Sequence, residues 1–121
     1  MQDFNALTDR YIAVWNETDK ERRRDLIAQT WTEDASYIDP LMQGEGYAGI
    51  EAMVEGVQTQ FPGFVFSRNG EVDTHHNRLR FSWDLGPAGA DVIVKGTDFA
   101  IVSEDGRLIE VTGFIDMMPQ G

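Results

Sequence analysis

The apolar residues change their spacing once along this chain, at Phe61-Pro62-Gly63, and that change limits the folds available to it. Before it, the spacing is helical. Phe4, Leu7, Tyr11 and Val14 recur at steps of three and four, with Ile12 and Trp15 beside them. Asp19 reads as the N-cap of a second helix from Lys20 to about Trp31, with Leu26, Ile27, Thr30 and Trp31 on one side and Glu21 to Arg24 on a solvated face. A short strand is expected over Ala35–Asp39, stopped by Pro40. Residues 41–46 read as a loop, and a third helix runs from about Tyr47 to Gln60. From Phe64 onward the period is two, with strands expected over Phe64–Thr74, His75–Leu85, Asp91–Val102 and Arg107–Met117. Helices followed by a long meander make an α+β fold, with the helices packed on one face of a curved, mainly antiparallel sheet.

At 121 residues the chain is one domain, residues 1–121. Ten Lys and Arg against 21 Asp and Glu leave a net charge of −11. Such a surface repels phosphate backbones, so neither nucleic acid nor an anionic membrane is expected as a partner. The chain has no cysteine, which removes disulfides, thiolate catalysis and cysteine-ligated metals. With His75 and His76 as its only histidines, it offers no multi-histidine metal site. Residues 1–18 include Asp3, Asp9, Arg10 and Glu17, so no secretory leader is read there and a cytoplasmic location is expected.

The order helix–helix–strand–helix–four strands carries a set of short matching pieces. They are Arg10-Tyr11-Ile12-Ala13, Asp34-Ala35 leading to Asp39-Pro40, Gly46 to Ile50, Gly96-Thr97-Asp98 and Gly106-Arg107-Leu108-Ile109. In that order and spacing, from about Phe4 to Met117, the chain resembles the nuclear transport factor 2-like superfamily, which includes SnoaL-like polyketide cyclases and ketosteroid isomerases. The resemblance implies a cone-shaped (cystatin-like) fold, a pocket at its wide end and a homodimer formed through the outer sheet face. Apolar residues of both parities in the strands, such as Phe99 and Ile101 against Val94 and Val102, also point to a second covering layer.

Three residues stand out as candidates for chemistry. Asp98 shares the parity of Val92, Val94, Gly96, Ala100 and Val102, and a carboxyl on an apolar face is costly unless paired or neutralised. It reads either as a neutral acid able to donate a hydrogen bond or as a structural aspartate at a cavity wall. Asp39 ends its strand before Pro40, at a plausible pocket mouth or simply at a turn. Tyr11 lies on the apolar stripe of the first helix, where its hydroxyl can point into a cavity or serve the core. The resemblance implies catalytic roles: Asp39 as general base, with Tyr11 and protonated Asp98 holding an oxyanion. The isomerases carry a supporting tyrosine where this chain has Val54.

Trp15, Met53, Val54, Phe61, Trp83, Val111 and Ile115 are candidate pocket-lining residues, with Met42 at the rim. His75 and His76, read as neighbours in one strand, point to opposite faces, and His75 shares parity with Leu79, Phe81, Trp83 and Leu85, which makes it the candidate pocket residue of the two. Arg22, Arg23 and Arg24 read as a solvated helix face, and Asp116 as a further acid near the mouth. Two functions follow. One is a cofactor-independent and metal-independent isomerase or cyclase using carboxylates on a small apolar carbonyl compound. The other is a non-catalytic pocket for a small lipophilic ligand.

Overall fold

The computed structural model describes residues 3–119. Helix α1 spans Phe4–Asn16, and Asp3 accepts the Ala6 N–H at 3.0 Å as its N-cap. Helix α2 spans Lys20–Thr30 and is capped by Asp19, which accepts the Arg22 N–H at 3.1 Å. Strand β1 (Trp31–Ile38) and the short β2 (Gln43–Glu45) precede helix α3 (Gly46–Gln60). Strands β3 (Phe64–His75), β4 (Arg78–Pro87), β5 (Val94–Val102) and β6 (Leu108–Met117) complete one sheet of order β2-β1-β6-β5-β4-β3. Only β1 and β6 run parallel, so the sheet is mixed but mostly antiparallel, and the α+β architecture expected from the period change is the one observed.

The three helices cover one face. Leu79, Phe81, Trp83 and Leu85 of β4 bury their side chains there beside Val94, Ala100 and Val102 of β5, against Leu7, Tyr11 and Val14 of α1 and Ile50 and Val54 of α3. Burying each such aliphatic or aromatic side chain stabilises the fold by about 1.5–3 kcal/mol before the entropy of ordering it is counted.

Several boundaries differ from the sequence reading. Strand β1 starts at Trp31 rather than Ala35, because Trp31 is already extended (φ −116°, ψ 151°) and wholly buried. The segment read as a loop contains β2, paired with β1 through Ser36↔Glu45 and Ile38↔Gln43. Gly44 permits it, since a Cβ there would stand 2.9 Å from the Gly49 carbonyl oxygen. Strand β5 starts at Val94 rather than Asp91, and β6 at Leu108.

The β3–β4 turn was not foreseen. His76 and Asn77 form it, with His76 at φ +50° and His75 paired to Arg78. His76 therefore leaves the strand, and instead of pointing to the opposite face its Nδ1 lies 3.1 Å from that of His75. The expected solvated arginine face is also corrected at its centre. Arg22 and Arg24 are exposed, but Arg23 is only 1% exposed and binds Glu51 of α3. No helix among the described residues is long and apolar enough to cross a membrane.

Candidate functional site

Each piece of the site is placed by strand parity. Asp98 sits opposite Phe81 and Gly113 in the ladder, and its side chain points to the helix-covered face, 3% exposed. Two neighbours make that burial tolerable. Tyr11 of α1 donates from Oη to Asp98 Oδ2 at 2.6 Å, and Trp83 of β4 donates from Nε1 to Oδ1 at 3.0 Å.

The Trp83 indole reaches Asp98 because it lies across Gly96, its direct cross-strand partner. A Cβ on Gly96 would stand 2.1 Å from Trp83 Cζ2 and 2.7 Å from the Phe114 carbonyl oxygen. Gly96 and Asp98 are thus one device, a missing side chain that lets an N–H reach a carboxyl two residues on. Gly96→Ala should displace the indole and destabilise the protein by about 1–3 kcal/mol through overpacking. The loss would be read in urea unfolding, and the freed indole N–H by NMR.

Asp39 follows the end of β1 and holds its own turn. Its Oδ1 accepts the backbone N–H of Leu41 at 2.8 Å and of Met42 at 3.0 Å. Its Oδ2 accepts the Tyr37 hydroxyl at 2.6 Å. The two acids face each other over Gly113. A Cβ built on that glycine would lie 2.8 Å from Asp98 Oδ1, 3.0 Å from Tyr37 Oη and 3.2 Å from Asp39 Cβ.

Tyr11, Tyr37, Asp39, Trp83 and Asp98 all border one cavity of about 60 Å³. Its inner walls come from Ile12 and Trp15 of α1, Phe81, Trp83 and Leu85 of β4, and Val94 of β5. Val57 of α3, Phe61 just after it, Phe66 of β3 and Ile115 of β6 close the sides, and Leu41, Met42 and Met118 form the rim. The rings pack at steep angles around it: Trp15 is tilted against Tyr37 at 5.5 Å and against Phe66 at 5.6 Å, and Phe66 meets Trp83 edge to face at 5.3 Å between centroids. A space of this size admits a few waters or a small ring. A larger ligand requires the rim to move, where Leu41 is 64% exposed.

Burial decides the electrostatics. Removal from water pushes the Asp98 carboxyl up to about 6, the hydrogen bonds from Tyr11 and Trp83 partly oppose this, and the charge of Asp39 adds to it. Burial likewise raises both phenols, Tyr11 and Tyr37, further above their ordinary value, with the Asp98 charge reinforcing it. The folded protein therefore holds the Asp98 proton more tightly than the unfolded chain, whose carboxyl titrates at 3.8. That contribution to stability is complete below the unfolded value and is lost as pH rises to about 6. Urea melts from about pH 4 to about pH 7 should show wild type losing roughly 3 kcal/mol relative to Asp98→Asn, with no further change above that range.

The structure brings together Tyr11, Asp39, Asp98, Trp15, Phe61, Trp83 and Ile115, with Met42 at the rim. Five other candidates lie elsewhere. Met53 packs under β2, its sulfur next to Gly44, and Val54 is wholly buried in the core, both further from the C-terminal end of α3 than the lining residue Val57. Val111 borders a tight void behind Tyr11, with Leu7, Thr8 and Phe81. His75 shares the outward face of its ladder partner Arg78 and borders a surface depression with Asp73 and Phe99. Parity could not be carried from His75 to Leu79 because the turn interrupts the strand. Asp116 is on the outer face, accepting the Thr97 hydroxyl at 2.7 Å.

Tyr37 was missed. Its signal was present, since residues two apart in a strand share a face and Asp39 was already assigned to the pocket. Among the described residues, no group of three or more His, Cys, Asp or Glu side chains could hold a metal ion.

The SnoaL-like domain family matches residues 8–111. A crystal structure from Agrobacterium tumefaciens, named as a proposed isomerase of the SnoaL-like family, superposes with a TM-score of 0.88 at 46% identity, covering 92% of this chain and 95% of that one. An NTF2-like protein of unknown function from Exiguobacterium gives a TM-score of 0.72 at 21% identity, covering 91% and 98% of the two chains. A protein from Jannaschia named as a proposed SnoaL-like polyketide cyclase gives 0.69 at 17%, covering 91% and 85%. At these lower identities the likeness is one of fold. No curated protein sequence matches the chain. A family match over most of the length, together with a close structural relative that carries the same family's name, places this chain in the SnoaL-like family, within the NTF2-like fold.

Proposed function

We propose that the protein is a cofactor-independent isomerase or cyclase acting on a small, mostly apolar carbonyl compound bound in the cavity. The observation that carries this reading is the convergence of two hydrogen-bonded carboxyl–phenol pairs, Tyr11–Asp98 and Tyr37–Asp39, on one apolar hollow. Their environments differ, and carboxyls set apart by environment are suited to separate acid and base roles.

Asp39 accepts three donors, which suits the carboxylate form and leaves one of its roughly four lone-pair positions for a substrate proton. It takes a proton from the carbon beside the carbonyl, and the electron pair of that C–H bond moves into the enolate. Asp98, protonated from solvent, donates to Tyr11 Oη across the same 2.6 Å contact, and this frees the Tyr11 hydroxyl to donate to the enolate oxygen. Negative charge developing there favours protonated Asp98 for the same reason that Asp39 does. Asp39 then returns the proton to a second carbon, so no atom is gained or lost.

The test is turnover of unsaturated ketones and polyketide-like substrates by wild type and Asp39→Ala. Turnover by wild type only supports the reading, and equal rates across the panel overturn it. One observation favours the runner-up, a passive binding pocket: Tyr11, Trp83 and Tyr37 already satisfy the two acids without a ligand. Ligand binding with no turnover would establish that reading.

We also propose a homodimer through the outer sheet face, where Phe114 of β6 is 56% exposed and Phe99, Ile109 and Met117 are partly uncovered. Sedimentation at micromolar concentration should give the mass of two chains. A monomer there would contradict it.

A further inference from the structure

We infer that the cavity, in its resting state, is a site for a protonated organic amine on a small apolar body, and that it rejects anions. This rests on the reading of the cavity as a ligand site but not on catalysis. The donors beside the two acids are already committed. Tyr11 and Trp83 donate to Asp98, and Tyr37 donates to Asp39. What remains open is acceptor capacity. Each Asp98 oxygen holds one donor where it can take two, and Asp39 has one position left. A ligand that engages the two acids must therefore bring its own donors, and an alkylammonium brings three.

Charge points the same way. Asp39 and Asp98 border the cavity, and no Lys, Arg or His does so among the described lining residues. Trp15, Phe66, Trp83 and Tyr37 supply ring surface, whose faces attract cations. A carboxylate ligand would instead meet two like charges in a water-poor space, which disfavours its charged form.

Amine and carbonyl ligands call on opposite protonation states of Asp98, so they compete and prefer opposite ends of the pH range. The titratable groups facing Asp98 are Tyr11 from α1 and Tyr37 and Asp39 from the β1 end. Of these the phenols stay neutral, and acidification through about pH 6 acts on Asp98. An alkylammonium keeps its proton throughout.

The experiment titrates the intact protein with benzylammonium, benzyl alcohol and benzoate by calorimetry, at about pH 7.5 and about pH 5. Benzylammonium should bind about tenfold tighter than benzyl alcohol at the higher pH, with no heat from benzoate. The preference should shrink at the lower pH, and in both Asp98→Asn and Asp39→Asn. The second variant keeps the test open should the first fail to fold. Equal or tighter binding of the alcohol, measurable binding of benzoate, or a preference unchanged in the folded variants overturns the inference. Failure by equal alcohol binding leaves the cavity reading and the turnover assay standing. Failure of all three probes to bind overturns the inference and removes the ligand site with it.

Discussion

Arg23→Ala destabilises the protein by about 3–5 kcal/mol, the loss expected when one partner of a buried ion pair is removed. Arg23 sits on the inner side of α2 and ties three helices together. Its Nε donates to Glu51 at 2.9 Å and 3.0 Å and its Nη2 at 2.6 Å, a fork on a single carboxylate. Its Nη1 donates to the Glu17 carbonyl beyond α1 at 2.9 Å and to Gln58 Oε1 on α3 at 2.8 Å. Gln58 in turn donates to the carbonyls of Trp15 and Glu17, at 3.0 Å and 2.8 Å. Truncating Arg23 strands Glu51 and uncaps the end of α1, the helix that carries Tyr11 and Trp15 to the cavity. Urea unfolding measures the loss. Arg22→Ala and Arg24→Ala, on the exposed sides of the same helix, should stay within about 0.5 kcal/mol of wild type. The double variant with Glu51→Ala should recover part of the loss, since it removes the orphaned charge. A loss at Arg23 no larger than at its two neighbours would show that the network contributes little.

The second large effect is on rate. Asp39→Asn should lower kcat on an isomerised or cyclised substrate by about 10²–10⁴-fold, the contribution expected of a positioned base. The asparagine side-chain oxygen can still accept the Leu41 and Met42 N–H groups, so the turn that carries the residue keeps its shape. Stability should therefore change little while the rate falls, which separates lost chemistry from lost fold. A kcat within about threefold of wild type would remove Asp39 from the mechanism.

Much of the fold was legible because period and turn chemistry agreed along most of the chain. The stripe from Phe4 to Val14, the Asp19 cap and the stop at Pro62-Gly63 all correspond to observed boundaries. Asp98 was legible as a buried acid from strand parity alone. The features that escaped depend on distant contacts. Strand β2 is held by its ladder to β1 and by Gly44 lying against Gly49, and its residues show no apolar alternation. Arg23 is buried because Glu51 and Gln58 wait on another helix, a pairing that local spacing does not reveal. His75 and His76 were misplaced because a two-residue turn lacking glycine gave no break signal. Tyr37 is the instructive omission, since it lies inside the expected strand, two residues before Asp39 on the same face, and brings a phenol to the site.

The account turns on Asp98 being a poised carboxyl in a water-poor cavity, held by Tyr11 and Trp83. Side-chain carboxyl titration by NMR measures this directly. Asp98 should titrate at about 6, and Tyr11→Phe, which removes a donor to its carboxylate, should move the midpoint higher still. A midpoint near the ordinary value of 3.8, unmoved in Tyr11→Phe, would contradict it.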